Sequence, residues 1–209
     1  SRRRRLAAVG ERAQQRLMRL QERLADARGR VRLLESLQQN YEGFYGGVRT
    51  VLRGRDRGEP AFADVIGVVA ELITTPAGYQ AALEAALAGA LQYVVVRTGD
   101  GAQRAIEELR RRRAGRVTFL PLDGLRAGDP HEADAALLRL DGVIGWAVDL
   151  VGYPAEIHRA VQHLLGRVLV TRDLTAARRA ARASGYRLRV VTLEGDVVHA
   201  GGAISGGSE

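Results

Sequence analysis

The sequence predicts a mixed α+β fold, made of two pseudo-repeated α/β lobes preceded by an N-terminal coiled-coil helix. Three features predict it: an apolar seam near the start, two segments with the same order of strands and helices, and a glycine-rich end. Helices that alternate with short apolar strands are typical of layered α/β structures. We divide the chain into a coiled-coil arm (1–40), a first lobe (41–125) and a second lobe (126–209).

The arm carries apolar side chains at steps of three and four residues. So narrow a seam predicts a helix that pairs with another helix. The chain contains no second heptad run, so we expect both of its ends to be cuts in a longer protein, with the partner helix returning after residue 209. The alternative is an amphipathic helix that packs on its own globular domain. The seam residues are Leu6, Val9, Ala13, Leu17, Leu20, Leu24, Ala27, Val31 and Leu34.

The two lobes are predicted from a repeated order of elements. In the first lobe, apolar runs at 65–73, 91–96 and 117–120 alternate with helices from Thr75-Pro76 to about residue 90 and over 102–113. In the second lobe, apolar runs at 143–151, 168–170 and 188–193 alternate with helices that begin at Pro154 and Thr175.

The repeat fixes a sequence alignment between the lobes. Val96 aligns with Val170, and Asp123 aligns with Glu194. Two copies are fewer than a solenoid needs, so we expect a pseudo-symmetric pair of lobes. An acidic connector, 123–156, lies between them.

The positive charge of the chain lies near its N-terminus. All 32 basic residues are arginine, and the first 60 residues hold 15 of them against 7 acidic residues. Residues 61–209 are neutral on balance. Such a surface is expected to meet a polyanion, although an exposed helix also carries charge without any partner.

The chain ends in two glycine pairs, Gly201-Gly202 and Gly206-Gly207. Each glycine loses more chain entropy on folding than other residues, so four of them need a physical reason. A phosphate-binding loop would require a lysine, and the sequence has none. A frayed tail and a crowded interface without room for a Cβ atom are the remaining alternatives.

Four further motifs occur in order at 67–73, 86–92, 115–122 and 191–198. Together with the glycine pairs they resemble the hinge domains of bacterial SMC (structural maintenance of chromosomes) proteins, over about residues 41–207. The sequence departs from the family pattern at Ala90, where a second glycine is common, and at Ala200, where proline is common.

The resemblance implies a half-ring of two lobes, two copies of which pair first lobe against second lobe to close a ring with two equivalent contacts. It assigns Gly201, Gly202, Gly206 and Gly207 to the dimer contact. Within the stretch 89–96 we place Gly89 opposite these glycines. Sheet edges are expected to join across the contact through backbone hydrogen bonds.

The resemblance also implies weak contact with DNA, without sequence preference, near the coil. Arginine at the end of a helix also offsets the helix dipole, which is a purely structural alternative. The rival function is a stand-alone basic DNA-binding module that does not dimerise. The candidates are Arg49, Arg53, Arg55 and Arg57 at the coil junction and Arg110, Arg111, Arg112, Arg113 and Arg116 at a helix end.

Nothing in the sequence predicts an enzyme. His158 and His163 are five residues apart, which is the wrong spacing for a shared metal. We therefore expect no cofactor in this chain; the resemblance implies ATP and magnesium at an ATPase head outside it. The expected partners are a second copy, DNA and the returning helix. No apolar run approaches the roughly 20 residues of a membrane span, and the expected location is the cytoplasm, at the nucleoid.

Overall fold

The computed structural model of the protein describes residues 43–126 and 132–207, together with Met18. The chain divides into two compact units, Ser1–Phe44 and Tyr45–Glu209. The predicted arm (1–40) lies outside the described residues apart from Met18, which is helical and exposed. Both predicted lobes belong to the second unit.

The first lobe is built on a three-stranded sheet. Its elements are α1 (Gly46–Asp56), β1 (Val65–Val68), α2 (Val69–Leu72), α3 (Gln80–Leu87), β2 (Val94–Val96), α4 (Gly99–Arg112) and β3 (Phe119–Pro121). The strand order is β1-β2-β3, with β1 antiparallel and β3 parallel to β2. Strand β2 therefore has a neighbour on each side, and β1 and β3 form the sheet edges.

The second lobe is built on a five-stranded sheet. Its elements are β4 (Val143–Trp146), α5 (His158–Leu165), β5 (Val168–Thr171), α6 (Leu174–Ala183), β6 (Arg189–Thr192), β7 (Val197–Val198) and β8 (Ile204–Ser205). The strand order is β4-β5-β6-β7-β8, and only β5 and β6 run parallel. The first three strands repeat the first-lobe sheet, while β7 and β8 extend it to a new edge.

The predicted pseudo-repeat is present, with one correction to its alignment. Val65 pairs with Val96, and the equivalent Val143 pairs with Thr171. Val96 is therefore equivalent to Thr171, and its predicted alignment with Val170 is wrong by one residue. Because β2 and β5 are buried on both faces, their side chains do not alternate in polarity, and the sequence pattern leaves the register open. The alignment of Asp123 with Glu194 agrees with the pairing of β2 with β3 and of β5 with β6.

All four predicted lobe helices begin at positions other than those predicted. Helix α4 begins at Gly99 rather than at 102, and α5 begins at His158, after a single 3-10 turn, rather than at Pro154. Helix α3 begins at Gln80 rather than after Thr75-Pro76, because Gly78 has a φ of +90° and breaks the helical backbone before it. Helix α6 is capped by Asp173 rather than Thr175. The Asp173 carboxylate accepts a hydrogen bond of 2.8 Å from the Ala176 backbone N–H, which lowers the pKa of this carboxyl.

The two lobes share one hydrophobic core, which includes Leu83 of α3 and Leu169 of β5. Thr74 and Gly152 form a backbone bridge between the lobes, with N–H to O distances of 2.8 and 2.9 Å between the donor and acceptor atoms. The Arg189 guanidinium donates a hydrogen bond of 2.9 Å to the Ala86 carbonyl at the end of α3. These contacts hold the lobes as a single packed unit.

Ala88 lies at the end of α3 in a backbone conformation that alanine rarely adopts, with φ +44° and ψ −123°. Such a conformation costs a residue with a Cβ atom on the order of 1–3 kcal/mol. Replacing Ala88 by glycine is therefore expected to raise the free energy of unfolding by about 1 kcal/mol, after allowance for the extra entropy of glycine in the unfolded chain. Urea denaturation measures this. A loss of stability in the Ala88→Gly variant would contradict the assigned backbone conformation.

Candidate functional site

The first glycine pair forms the turn of the terminal hairpin between β7 and β8. Gly201 has a φ of +88° and Gly202 a φ of +98°, in the region that favours glycine. The turn is closed by a hydrogen bond of 2.8 Å from the His199 backbone N–H to the Ala203 carbonyl. It rests on Tyr186, whose carbonyl accepts a hydrogen bond of 2.8 Å from the Gly201 N–H. The first pair is thus required by the hairpin itself.

The second glycine pair follows β8, and the structure explains its two glycines in different ways. A Cβ atom on Gly206 would lie 2.2 Å from a carboxylate oxygen of Asp196, so any other residue there requires the Asp196 side chain to move. Gly207 has a φ of +116°. Glycine is favoured either where the backbone angles are unusual or where another group approaches the backbone closely. The structure contains positive φ at three of the four glycines and close approach by Asp196 at the fourth.

The hairpin presents an open sheet edge. Among the described residues, strand β8 pairs with β7 alone and forms one edge of the five-stranded sheet. Both of its residues are exposed, and the Ile204 side chain is 52% exposed. An exposed edge strand with an apolar side chain offers backbone donors and acceptors to another chain.

Gly89 is the first-lobe residue predicted to face the glycines. It is exposed, and a Cβ atom at this position would meet nothing within 4 Å. The stretch 89–96 as a whole cannot face a partner, because Val94, Val95 and Val96 are fully buried in the central strand β2. Only the exposed start of that stretch can contact a partner. The predicted first-lobe side of the dimer contact is therefore limited to Gly89 and its neighbours.

A cleft of about 640 Å³ separates Gly89 from the start of the glycine hairpin within the protomer. Arg167 lines it, and its Nε atom has no hydrogen-bond partner in the described part of the chain. Sequence analysis missed this basic cleft, because its residues come from both lobes and form no run along the chain. Besides Arg167 the lining consists of Leu87, Ala88, Gly89, Ala90, Tyr93, His163, Leu164, Val168, Arg187, Arg189, His199 and Ala200.

The arginines at the coil junction differ in whether their side chains have ion-pair or hydrogen-bond partners. Arg55 pairs with Asp56 at 2.8 Å and also donates to the Ile66 carbonyl at the edge of β1. Arg57 lies 3.9 Å from Glu59 and is 70% exposed. The side chain of Arg49 has no ion-pair or hydrogen-bond partner within the described residues and is partly buried. The guanidinium of Arg55 thus occupies one backbone acceptor of β1, while the Arg57 side chain is largely exposed to solvent.

The arginines at the end of α4 are partly neutralised. Arg111 and Arg112 both bind the Glu108 carboxylate, and Arg112 also binds Glu59 at 2.5 Å. The Arg112 guanidinium lies 5.6 Å from the centroid of the Phe62 ring. Hydrogen bonds from Arg111 and then Arg112 lower the pKa of the Glu108 carboxyl to about 2. Arg112 therefore ties α4 to the segment after α1, while Arg111 is paired within α4.

The remaining candidates near α4 are exposed and lack such partners among the described residues. They are Arg110, Arg113 and Arg116. The backbone of Arg116 approaches α1, since a Cβ atom on Gly47 would lie 3.2 Å from the Arg116 carbonyl oxygen. The structure therefore brings the two predicted basic clusters to adjacent positions.

The histidines take part in ordinary polar contacts. His158 stacks on Tyr153, with a hydrogen bond of 3.0 Å to its hydroxyl, and His163 contacts the Arg126 carbonyl at 3.1 Å. Across residues 43–126 and 132–207, no three His, Asp or Glu side chains are grouped closely enough to hold a metal ion. Within the same residues, no helix is long and apolar enough to cross a membrane.

Two α/β lobes with a shared core and a glycine-turned hairpin on an open sheet edge define a hinge-type domain. The family model described as "SMC proteins Flexible Hinge Domain" matches residues 62–181, which is more than half of the chain. The chain therefore belongs to the SMC hinge family.

Curated relatives agree with this membership. The chain is 40% identical over 195 residues to the chromosome partition protein Smc of Desulfitobacterium hafniense and 39% identical over 183 residues to that of Bacillus subtilis. The matches cover 93% and 87% of this chain, but only 16% and 15% of those two proteins. The chain thus spans about a sixth of the length of these relatives.

Solved structures agree with the fold. The SMC hinge domain of Geobacillus stearothermophilus, crystallised as an asymmetric dimer, matches with a TM-score of 0.80 and 42% identity, covering 87% of this chain and 73% of that one. The Pyrococcus furiosus SMC hinge domain matches with a TM-score of 0.65 and 28% identity, covering 84% and 86% of the two chains.

Proposed function

We propose that this chain is the homodimerisation hinge of an SMC chromosome protein, joining two coiled-coil arms. Membership of the hinge family supports the proposal, as does the dimeric state of the Geobacillus stearothermophilus hinge domain. The work of such a domain is mechanical, since it holds two arms together. The same proposal includes the returning helix of the full-length chain, which would pair with the N-terminal helix to form each arm.

The open edge of β8 is the observation that carries this proposal. Its two exposed residues leave a row of backbone groups without a strand neighbour in the described chain. Adding a strand from a second copy satisfies those groups and covers Ile204, which is half exposed. Of the first-lobe strands, β1 and β3 are the sheet edges that a partner offers, because β2 is central; at β1 the Ile66 carbonyl already accepts a hydrogen bond from Arg55.

Two-fold symmetry gives this contact its strength. When the second lobe of one copy meets the first lobe of its partner, the reverse contact forms as well. Every favourable interaction then occurs twice in the dimer. The positive φ values of Gly201 and Gly202 set the hairpin geometry that presents β8. We assign Gly206 and Gly207, which follow β8, to the same contact.

Analytical ultracentrifugation of the 209-residue chain over a wide concentration range tests this function. We expect a dimer that dissociates only on strong dilution. A chain that stays monomeric at high concentration would exclude the hinge function and favour the rival, a stand-alone basic DNA-binding module.

The Gly89→Ala variant tests whether glycine is required at this position for dimer affinity rather than for the stability of the protomer. The protomer has open space at this position, so the free energy of unfolding of the monomer is expected to change by less than about 0.5 kcal/mol. If a partner backbone lies against Gly89, dimer affinity falls about tenfold or more, as a clash of 1.4 kcal/mol or more implies. Unchanged dimer affinity in the Gly89→Ala variant would remove Gly89 from the contact.

We further propose that the hinge contacts the DNA backbone weakly near the coil junction, without sequence preference. Arginines whose side chains lack an acidic partner among the described residues support this: Arg110, Arg113 and Arg116, which are exposed, and Arg49, which is partly buried. Arg53 and Arg57 extend the same surface. Affinity for duplex DNA that falls steeply with salt is the expected result in a filter-binding or anisotropy measurement. Affinity independent of salt would exclude phosphate contacts of this kind.

For the whole protein, we propose that ATP hydrolysis with magnesium belongs to parts outside this chain. The sequence contains no lysine, and a nucleotide-binding phosphate loop requires one. We assign no cofactor to the hinge itself. We place the full-length protein in the cytoplasm, at the nucleoid.

A further inference from the structure

Helix α6 in the second lobe separates its residues into two faces. One face consists of small side chains that are buried against the sheet: Ala176, Ala177, Ala180 and Ala181. The opposite face carries Thr175, Arg178, Arg179 and Arg182, all exposed. We call these four residues the α6 arginine face. Their spacing of three and four residues places them side by side along the helix.

The arginine face lacks acidic neighbours along its own helix. The sequence of α6 contains no Asp or Glu. Arg179 lies 4.0 Å from Asp141, a weak and highly exposed pair. The side chains of Arg178 and Arg182 have no ion-pair or hydrogen-bond partner in the described part of the chain. Their charges are therefore available to an external anion.

The equivalent helix of the first lobe shows the opposite arrangement. Helix α4 takes the same place in the repeat, between the second and third strands, and it also carries several arginines. There, however, Arg104 pairs with Asp64 at 2.7 Å, and Arg111 and Arg112 pair with Glu108. The repeat has thus kept arginine on both helices, but three of the four arginines of α4 have a carboxylate partner, against only Arg179 on α6.

The four side chains of the arginine face line a shallow groove of about 250 Å³. Arginine forks and a threonine hydroxyl are suitable donors for phosphate oxygens. Residues four apart on a helix are separated by about 6 Å along its axis, so Arg178 and Arg182 offer two cationic groups to successive anionic groups. None of the four residues is aromatic, so base stacking has no support here.

We propose that the α6 arginine face is a second phosphate-binding surface, which holds the backbone of duplex DNA against the second lobe. This surface is distinct in the chain from the coil-junction arginines. The inference rests on the DNA contact proposed for the hinge and adds a site to it. A duplex that touches both surfaces is held at more than one point of the hinge.

The test compares the salt dependence of DNA affinity among variants of the 209-residue chain. In Arg178→Ala/Arg182→Ala, the slope of log K against log salt concentration is expected to fall by about 2, because each lost phosphate contact removes about 0.9. Alanine favours helix, so α6 is expected to stay folded; circular dichroism and the dimer mass verify this. The matched control is Arg97→Ala/Arg104→Ala, which removes two arginines already paired with Glu156 and Asp64 and distant in sequence from α6. It is expected to leave the slope nearly unchanged.

The other outcomes overturn the proposal in distinguishable ways. If Arg110→Ala/Arg116→Ala lowers the slope and the α6 variant does not, DNA contact at the coil junction stands and the α6 surface fails. An equal fall in the paired-arginine control would show that net charge alone is responsible. A wild-type chain that dimerises but binds no duplex at low salt removes both DNA proposals and leaves the hinge intact. If the α6 variant loses affinity for polyglutamate and not for DNA, the partner is an acidic protein segment instead.

Discussion

The double variant Gly201→Val/Gly202→Val is expected to be a folded monomer at concentrations where the unmodified chain is dimeric. Valine is strongly disfavoured at the φ values of +88° and +98° that the hairpin turn requires. A left-handed backbone costs a residue with a side chain roughly 1–2 kcal/mol. The monomer relieves this strain by rearranging its exposed hairpin, whereas the dimer needs the hairpin in place.

The size of this effect follows from the symmetry of the dimer. Two strained positions occur in each of two contacts, so the loss of dimerisation free energy is roughly 4–8 kcal/mol, an upper estimate if the turn adapts. Each 1.4 kcal/mol changes the dissociation constant about tenfold. Even half of the lower value weakens the dimer more than tenfold. Ultracentrifugation over a dilution series measures the change.

A matched control is Gly124→Val, in the turn after β3. Gly124 has no positive φ, and a Cβ atom there would meet nothing within 4 Å. This variant is expected to dimerise like the unmodified chain. If the Gly201→Val/Gly202→Val chain keeps its full dimer affinity while its far-ultraviolet circular dichroism is unchanged, the terminal hairpin is not part of the dimer contact.

Replacing Leu83 by alanine is expected to destabilise both lobes together, by about 2–5 kcal/mol. Leu83 lies on α3 of the first lobe and is 2% exposed. It belongs to the same core cluster as Trp146 and Leu169 of the second lobe. A cavity at this position therefore removes contacts that both lobes share, and the chain is expected to unfold in one transition.

The single tryptophan makes this measurable. Trp146 is in β4 of the second lobe and is 7% exposed, so its fluorescence changes when that lobe unfolds. In urea, the midpoint of the fluorescence transition is expected to shift in Leu83→Ala as far as the circular dichroism transition does. Leu138→Ala, at a leucine that is 43% exposed, serves as the control with little change. A fluorescence midpoint that stays in place would mean that the lobes unfold independently.

The elements of the repeat were predictable because they depend on short-range patterns. Apolar runs bounded by Gly, Pro and polar residues indicated where the strands lie along the chain, and each of these runs overlaps a strand. Helix starts were less predictable. Asp173 and Thr175 are both good caps, and only the folded backbone decides which side chain reaches the Ala176 N–H.

The availability of the arginine side chains, in contrast to the elements of the repeat, was not predictable from the sequence. Runs of arginine in the sequence predicted charge at the end of α4, yet two of those guanidinium groups are engaged by Glu108 and Glu59. The exposed face of α6 looked ordinary, because its arginines are separated by alanines along the chain. Whether an arginine is available to an external anion depends on carboxylates that are distant in sequence, and Glu59 and Arg112 are 53 residues apart.

By itself, the sequence determined the class of the protein, its two-lobed repeat and the special role of the terminal glycines. These features rest on local properties: side-chain periodicity, backbone freedom and the absence of lysine and cysteine. Only the tertiary structure decided the strand register between the lobes, the burial of β2 and the free edge at β8. Each of these depends on which segments pack together. Packing brings together residues that are distant in the sequence, and no local pattern shows which of them will meet.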